Sequence, residues 1–169
     1  MAQATWHALK CEAVRLRRLK QPAQAIECLV RAIELTQQSP DLSRETGSLL
    51  NYLADLYLQE GQLAQAEAAI RRALQTNLGL PDHERSLGAD DFMILAKVLS
   101  RQARHWEAYE AGSQALTLFR QRLGTHDKFI AQIEQTVEKL RRKKENGASV
   151  ELKSHRAEQG AAPDRGGIK

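Results

Sequence analysis

The sequence predicts an all-α fold, an α-solenoid of three helical hairpins that ends in a C-terminal capping helix. Three observations carry this prediction. The chain is rich in alanine, leucine, glutamine, glutamate and arginine, which are strong helix formers. Its apolar residues recur three and four positions apart, so that they fall on one face of a helix. The same apolar pattern then returns at intervals of about 42 residues.

The clearest unit lies between residues 49 and 74, which read LLNYLADLYLQEGQLAQAEAAIRRAL. One helix face is formed in its first half by Leu50, Leu53, Ala54 and Tyr57. After a turn at Gly61, a second face is formed by Leu63, Ala66, Ile70, Ala73 and Leu74. Because helix axes approach to about 8–10 Å only where the contacting side chains are small, the alanines predict a closely packed helical hairpin.

Two further hairpins are predicted where the chain aligns with this unit. The later one carries Phe92, Leu95, Ala96, Leu99, Ala108, Ala115 and Leu116, with Ala103 in place of Gly61 and Gly112 in place of Ile70. The earlier one is more degenerate and carries Leu9, Ala13, Leu16, Ala25, Leu29, Ala32 and Ile33. The predicted repeats therefore cover residues 4–38, 43–79 and 89–122. Stacking them buries the apolar surface that a single hairpin leaves exposed.

A final helix is predicted over residues 126–144, with Thr125 as its N-cap. Its apolar stripe consists of Phe129, Ile130, Ile133, Val137 and Leu140, and its other face is polar, as suits a helix that closes the end of a stack. The residues from Glu145 onward are mostly polar and lack periodicity. Residues 1–144 are thus predicted as the repeat domain and 145–169 as a disordered basic tail. Residues from Arg141 onward account for the net charge of +4, because the preceding part is neutral overall.

The second hairpin resembles the tetratricopeptide repeat, whose signature is W-x2-L-G-x2-Y followed by A-x3-F and A. The corresponding residues here are Leu50, Leu53, Ala54, Tyr57, Ala66, Ile70 and Ala73. The long period and the segments LNYLADLY and LGTHDKFIA are similar to the kinesin-light-chain type of this repeat, and the resemblance covers residues 4–140. It implies a right-handed solenoid whose concave groove, lined by the first helix of each hairpin, binds a peptide segment of another protein.

On this resemblance, the groove positions fall on three helices. They are His7, Lys10, Val14, Arg17 and Arg18, then Asn51, Asp55 and Leu58, and then Met93, Lys97, Ser100 and Arg101. The candidate peptide-groove residues are Lys10, Arg17, Asn51, Asp55, Lys97 and Arg101. Their excess of cations favours an acidic partner.

Two further comparisons concern single residues. Asn51 matches an asparagine that bonds the peptide backbone in the kinesin-light-chain type, since an amide both donates and accepts hydrogen bonds. Lys10 fits the carboxylate clamp of heat-shock co-chaperones, but Val14 and Asp55 stand where its first two asparagines belong. The alternative interpretation of the cations is a solvated helix face without a ligand.

The sequence lacks the motifs of nucleotide-binding, α/β-hydrolase and zinc-protease sites, so the chain is expected not to be an enzyme and to need no cofactor or metal. The cluster Asp82, His83 and Glu84 is interpreted as a solvated loop. The basic segment KLRRKK lacks interleaved aromatic residues, so nucleic acid is not the expected partner. Trp106 is interpreted as a packing residue.

No apolar run approaches the length of about 18 residues that a membrane helix requires, and the N-terminus lacks the apolar region of a signal peptide. A cytoplasmic location with reduced Cys11 and Cys28 is expected. The sequence thus predicts a non-catalytic protein–protein interaction module, an adaptor or chaperone-like protein. Two alternatives stay open: a structural repeat protein that self-associates into a homo-oligomer, and a bacterial secretion-type chaperone of similar size.

Overall fold

The computed structural model describes residues 2–78, 88–123 and 128–160. Within these ranges every regular element is helical, which confirms the all-α prediction. The α-helices are α1 Ala2–Arg18, α2 Pro22–Gln37, α3 Ser43–Gln59, α4 Leu63–Leu78, α5 Gly88–Arg101, α6 His105–Leu123 and α7 Lys128–Gly160. A short 3-10 helix, Pro40–Leu42, leads into α3.

Tight turns join the two helices of each hairpin, and all three have the same backbone conformation. Lys20, Gly61 and Ala103 have positive φ angles of 57°, 73° and 62°, the left-handed conformation that commonly ends a helix. After the second turn, the backbone N–H of Gln62 donates to the carbonyl of Tyr57 at 2.9 Å, and equivalent bonds close the other two turns. Ala103 therefore occupies the place of Gly61, as predicted.

The hairpins stack in chain order. Helices α1 and α2, α3 and α4, and α5 and α6 form the three pairs, while α2 packs on α3 and α4 packs on α5. The first helices of neighbouring hairpins, α3 and α5, also touch. This arrangement is the predicted solenoid.

Alanine sets the spacing between these helices. The alanines of the predicted contact faces are buried, and they are Ala13, Ala25, Ala32, Ala54, Ala66, Ala73, Ala96, Ala108 and Ala115. Larger side chains such as Leu29, Leu50 and Leu99 fill the space between them, and the resulting core is continuous from α1 to α6. The small side chains thus allow the close approach that the sequence predicted.

The last helix closes the stack through its apolar stripe. Ile130, Ile133, Val137 and Leu140 are buried, and α7 packs against α6. Gly112 of α6 permits this approach, because a Cβ atom at that position would lie 2.9 Å from Leu140 Cδ1. The replacement of Ile70 by glycine in the third hairpin therefore makes room for α7.

At this end of the chain, the structure differs from the prediction in the length of the last helix. Helix α7 continues to Gly160, beyond residue 144, where the repeat domain was predicted to end and a disordered tail to begin. The physical reason is that glutamate, lysine, alanine and arginine in this segment are strong helix formers, and Arg141 pairs with Glu145 at 3.3 Å along the helix. Thr125, the predicted N-cap, and residues 161–169 lie outside the described residues.

Trp106 also differs from its prediction as a packing residue. Its side chain is 56% exposed near the start of α6, and Lys144 Nζ lies 3.7 Å from its ring centroid. The same ammonium lies 4.6 Å from the ring of Tyr109, so Lys144 contacts both aromatic rings. In the parts of the chain that the structure describes, no helix has the length and apolar character needed to cross a membrane.

Candidate functional site

An open cavity of about 660 Å³ lies on the face formed by the first helices of the stack. Helices α3, α5 and α7 supply most of its walls, and the ends of α4 and α6 supply the remainder. The lining side chains are Arg44, Ser48, Asn51, Tyr52, Asp55, Asn77, Asp90, Asp91, Met93, Ile94, Lys97, Phe119, Phe129, Gln132, Ile133 and Thr136. We call this cavity the groove.

Three of the six predicted groove residues line it: Asn51 and Asp55 on α3, and Lys97 on α5. They lie on neighbouring helices, as the repeat alignment predicts. The Lys97 side chain is exposed and forms no ion pair with any residue in the described ranges. Met93, another of the positions predicted to face inward, lines the groove as well.

The other three candidates lie outside the lining. Lys10 is half-buried on α1. Arg17 reaches Asp55, with 3.3 Å between Nη2 and Oδ2, so it contacts the groove through a lining residue. Arg101 donates a hydrogen bond from Nη1 to the carbonyl oxygen of Leu58 at 2.7 Å. It thereby satisfies a backbone carbonyl in the last turn of α3. Leu58 itself is buried, because its side chain points into the helix interface rather than toward the concave face.

A buried carboxyl forms the floor of the groove between the second and third hairpins. Asp91 is only 2% exposed, and it accepts hydrogen bonds from Asn51 Nδ2 at 2.6 Å and from Asn77 Nδ2 at 2.5 Å. These three residues, which we call the polar junction, connect α3, α4 and α5. Asn51, which was predicted to bind the backbone of a peptide, therefore already donates one hydrogen bond from its amide to a residue of its own chain.

Burial raises the pKa of Asp91, although the hydrogen bonds from Asn51 and Asn77 oppose this shift. The Oδ1 atom of Asn77 is buried and has no hydrogen-bond partner among the described residues. Reversal of the Asn77 amide would place this oxygen beside Asp91, where a protonated carboxyl can donate to it. The polar junction thus suits a neutral Asp91 as well as an ionised one.

Gly47 of α3 makes room for the polar junction. A Cβ atom at this position would lie 2.9 Å from Asn77 Cγ and would clash with Asn77 Oδ1. Glycine is therefore required here for the close approach of α3 to the end of α4.

Aromatic and aliphatic side chains form the other end of the groove. Phe119, at the end of α6, is 1% exposed and meets Phe129 of α7 edge to face, with 5.3 Å between the ring centroids. We call this pair the aromatic junction. Phe129 remains 44% exposed, and Ile94 and Ile133 extend the apolar surface beside it. A bound segment would meet polar groups near α3 and apolar groups near α7.

Charged side chains surround both ends. Arg17 pairs with Asp55 and lies 5.4 Å from the ring centroid of Tyr52. Arg122 pairs with Asp90 at 3.6 Å and lies 4.7 Å from the ring centroid of Phe119. Both carboxylates and both rings line the groove, whereas neither arginine does.

The sequence analysis did not name the lining residues Arg44, Ser48, Tyr52, Asp90, Asp91 and Ile94 of α3 and α5, and it also missed two sets that lie on other helices. Phe129, Gln132, Ile133 and Thr136 belong to α7, which was interpreted only as a cap. The signal was present, because α7 follows α6 as the first helix of a fourth hairpin would. Asn77 and Phe119 belong to second helices, but they occupy equivalent positions one repeat apart, and a repeat alignment extended to the ends of those helices identifies them.

The chemistry of the groove is that of recognition by amides, charges and apolar contacts. The described residues contain no group of three or more histidine, cysteine, aspartate or glutamate side chains that could hold a metal ion. The cluster Asp82, His83 and Glu84 lies outside the described residues.

A family model described as Tetratricopeptide repeat matches residues 13–78, from the middle of α1 to the end of α4. No curated protein matches the chain. The more specific resemblance to the kinesin-light-chain type stays a prediction. The family match and the stacked hairpins together support a repeat protein of the tetratricopeptide type.

Proposed function

We propose that this chain is a non-catalytic protein–protein interaction module that binds a peptide segment of a partner protein in the groove. Within this proposal, the chain acts as an adaptor or chaperone-like protein in the cytoplasm. The single observation that carries it is the open cavity formed by α3, α5 and α7, where the predicted residues Asn51, Asp55 and Lys97 come together.

The composition of the groove supports a peptide ligand. An extended peptide presents backbone amides and side chains of mixed polarity, and the groove offers Ser48 and Asn51 at one end and Ile94 and Phe129 at the other. The cavity has an opening to solvent, which suits a segment of a longer chain. Tetratricopeptide repeats generally mediate protein–protein interaction, which agrees with this assignment.

Charge supports a partner of acidic character. Lys97 and Arg44 line the groove, and the carboxylates of Asp55 and Asp90 are already paired with Arg17 and Arg122. Burial raises the pKa of Asp91, and its carboxyl is already held by hydrogen bonds from Asn51 and Asn77. Lys97 is therefore the group most available to attract a carboxylate of a partner.

The test is a selection of binding peptides from a random display library, followed by affinity measurements with Lys97→Glu. We expect the selected peptides to bind the native chain and to lose at least about tenfold in affinity with Lys97→Glu, which corresponds to about 1.4 kcal/mol. Arg72→Glu is the matched control, because Arg72 is exposed on α4 and does not line the groove.

Equal affinity of the native chain and Lys97→Glu for every selected peptide would show that the groove is not the binding site. An equal loss of affinity with Arg72→Glu would also count against the groove as the binding site. The loss would then depend on the net charge of the chain and not on the position of the substituted residue.

A further inference from the structure

The two arginine–aspartate pairs beside the groove share one arrangement. In each pair, a guanidinium from outside the lining reaches a carboxylate that lines the groove and lies over an aromatic ring that also lines it. One set is Arg17 with Asp55 and Tyr52, and the other is Arg122 with Asp90 and Phe119. The distances between charged groups are 3.3 Å and 3.6 Å.

These ion pairs are accessible to water, and Asp55 also accepts a hydrogen bond from Gln59 at 2.7 Å. The Arg17 and Asp55 side chains are 39% and 28% exposed, and those of Arg122 and Asp90 are 31% and 57% exposed. Ion pairs of this exposure contribute little to stability, because water screens them and both side chains lose freedom. Another carboxylate can therefore replace the internal one without loss of the fold.

We infer that Asp55 and Asp90 are placeholder carboxylates, which hold Arg17 and Arg122 at the groove until carboxylates of an acidic partner segment displace them. This inference rests on the proposed function and names the partner more closely. The partner segment carries acidic side chains at two separated positions, with apolar side chains between or beside them that reach Ile94, Phe129 and Ile133.

The aromatic rings fix where a partner carboxylate can replace Asp55 or Asp90. Tyr52 and Phe119 keep the two guanidinium groups over the groove lining through cation–π contact, whichever carboxylate they bind. The arginines are thereby preorganised, so that the incoming carboxylates meet donors that are already in place. The internal carboxylates compete with the incoming ones for the two arginines, so they weaken the binding of acidic segments in particular.

The inference predicts an increase in affinity on removal of the internal carboxylates. The probes are two fluorescein-labelled synthetic peptides of equal length, one of alternating glutamate and leucine and one of alternating glutamine and leucine. With Asp55→Asn and Asp90→Asn combined, we expect the glutamate peptide to bind about tenfold more tightly than it binds the native chain. Fluorescence polarisation at low salt, where charge interactions are least screened, measures both affinities. The affinity of the glutamine peptide is expected to stay unchanged. Asp41→Asn is the control for net charge, because Asp41 is exposed on the 3-10 helix and lies outside the lining.

A double-mutant cycle separates displacement from a general charge effect. In an Arg17→Gln background, Asp55→Asn has no arginine to release, so its effect on the glutamate peptide is expected to fall below the effect seen with Arg17 present. An undiminished effect there, or an unchanged affinity of the doubly substituted chain, would overturn the inference. So would failure of the glutamate peptide to bind any of these chains. The proposed function would survive each of these results, since it is judged separately by Lys97→Glu and the peptides selected from the library.

Discussion

The polar junction joins the second and third hairpins and the aromatic junction joins the third hairpin to α7, at equivalent places in the repeat but by different chemistry. Asn77, at the end of α4, bonds to Asp91 of the following helix, whereas Phe119, at the end of α6, packs on Phe129 of the following helix. Both Asn77 and Phe119 are buried, and both line the groove. The repeat thus places Asn77 and Phe119 at equivalent backbone positions, but it does not determine whether the contact is a hydrogen bond or an aromatic contact.

This difference gives the groove a polar end and an apolar end. It also means that the two junctions should respond differently to substitution and to pH. A buried aromatic contact depends on volume and is indifferent to pH, while a buried carboxyl depends on its hydrogen bonds and its proton.

The largest effect is expected at the aromatic junction. Phe119→Ala removes a buried ring between α6 and α7 and leaves a cavity, so the free energy of unfolding should fall by about 3–5 kcal/mol. Urea denaturation followed by circular dichroism measures it. Leu116→Ala, a half-buried position on the same helix, is the control and should cost less. An equal loss for both would mean that the aromatic contact has no special part in holding α7.

A smaller effect is expected at the polar junction from Gly47→Ala. The added methyl group meets Asn77 and forces it away from Asp91, which should lower the free energy of unfolding by about 1–3 kcal/mol. At the equivalent position of the third hairpin, Ala89→Gly should cost only about 1 kcal/mol through helix propensity. If Gly47→Ala proves neutral, the close approach of α3 to Asn77 is not required for the fold.

The pH dependence of stability should distinguish the two junctions directly. The pKa of Asp91 is raised above 3.8 by burial, so the unfolded chain loses this proton at lower pH than the folded chain does. The stabilising contribution is therefore complete below the unfolded pKa and is lost as the pH rises through the folded pKa. Asp91→Asn should flatten this part of the profile, and Phe119→Ala should leave its shape unchanged.

Other carboxyls make the free energy of unfolding fall as the pH is lowered, which is opposite to the effect of Asp91. The pH profile of the native chain is therefore compared with that of Asp91→Asn by subtraction. Burial alone would raise the pKa of Glu67, but hydrogen bonds from Gln102, Arg71 and Arg104 lower it to about 2. Its contribution is present above about pH 4.5 and is lost as the pH falls toward about 2. A native-minus-Asp91→Asn profile without slope above pH 3.8 would contradict the assignment of that slope to the polar junction.

The smallest effect is expected at the turns, which the second and third hairpins share. Ala103 holds a positive φ that costs an alanine about 1–2 kcal/mol, partly offset by the greater freedom of glycine in the unfolded chain. Ala103→Gly should therefore raise the free energy of unfolding by up to about 1 kcal/mol, and Gly61→Ala should lower it by a similar amount. Thermal denaturation measures both, and changes of the same sign would show that the two turns are not equivalent.

The sequence predicted the hairpins well because their packing depends on a periodic signal. Small residues such as Ala54 and Ala66 recur at fixed positions, and the turn at Ala103 follows from alignment with Gly61. The end of α7 was predicted less well. Its continuation to Gly160 depends on helix propensity and on charged pairs along the helix, which a search for apolar periodicity does not weigh.

The groove was predicted in part. Asn51, Asp55 and Lys97 follow from helix register combined with the resemblance to the tetratricopeptide repeat. The engagement of Arg101 with the Leu58 carbonyl and the polar junction formed around Asp91 depend on contacts between residues about 40 positions apart. Such contacts leave no periodic signal in a single chain.

The central claim is that a partner segment binds in the groove between the two junctions. Isoleucine methyl groups report on it, because Ile94 and Ile133 line the groove, whereas Ile26 and Ile70 lie on α2 and α4 away from it. In a methyl NMR titration with a library-selected peptide, the account predicts that Ile94 and Ile133 shift at low peptide concentration while Ile26 and Ile70 do not. Shifts confined to Ile26 and Ile70 would place the bound peptide on the opposite face and contradict the account.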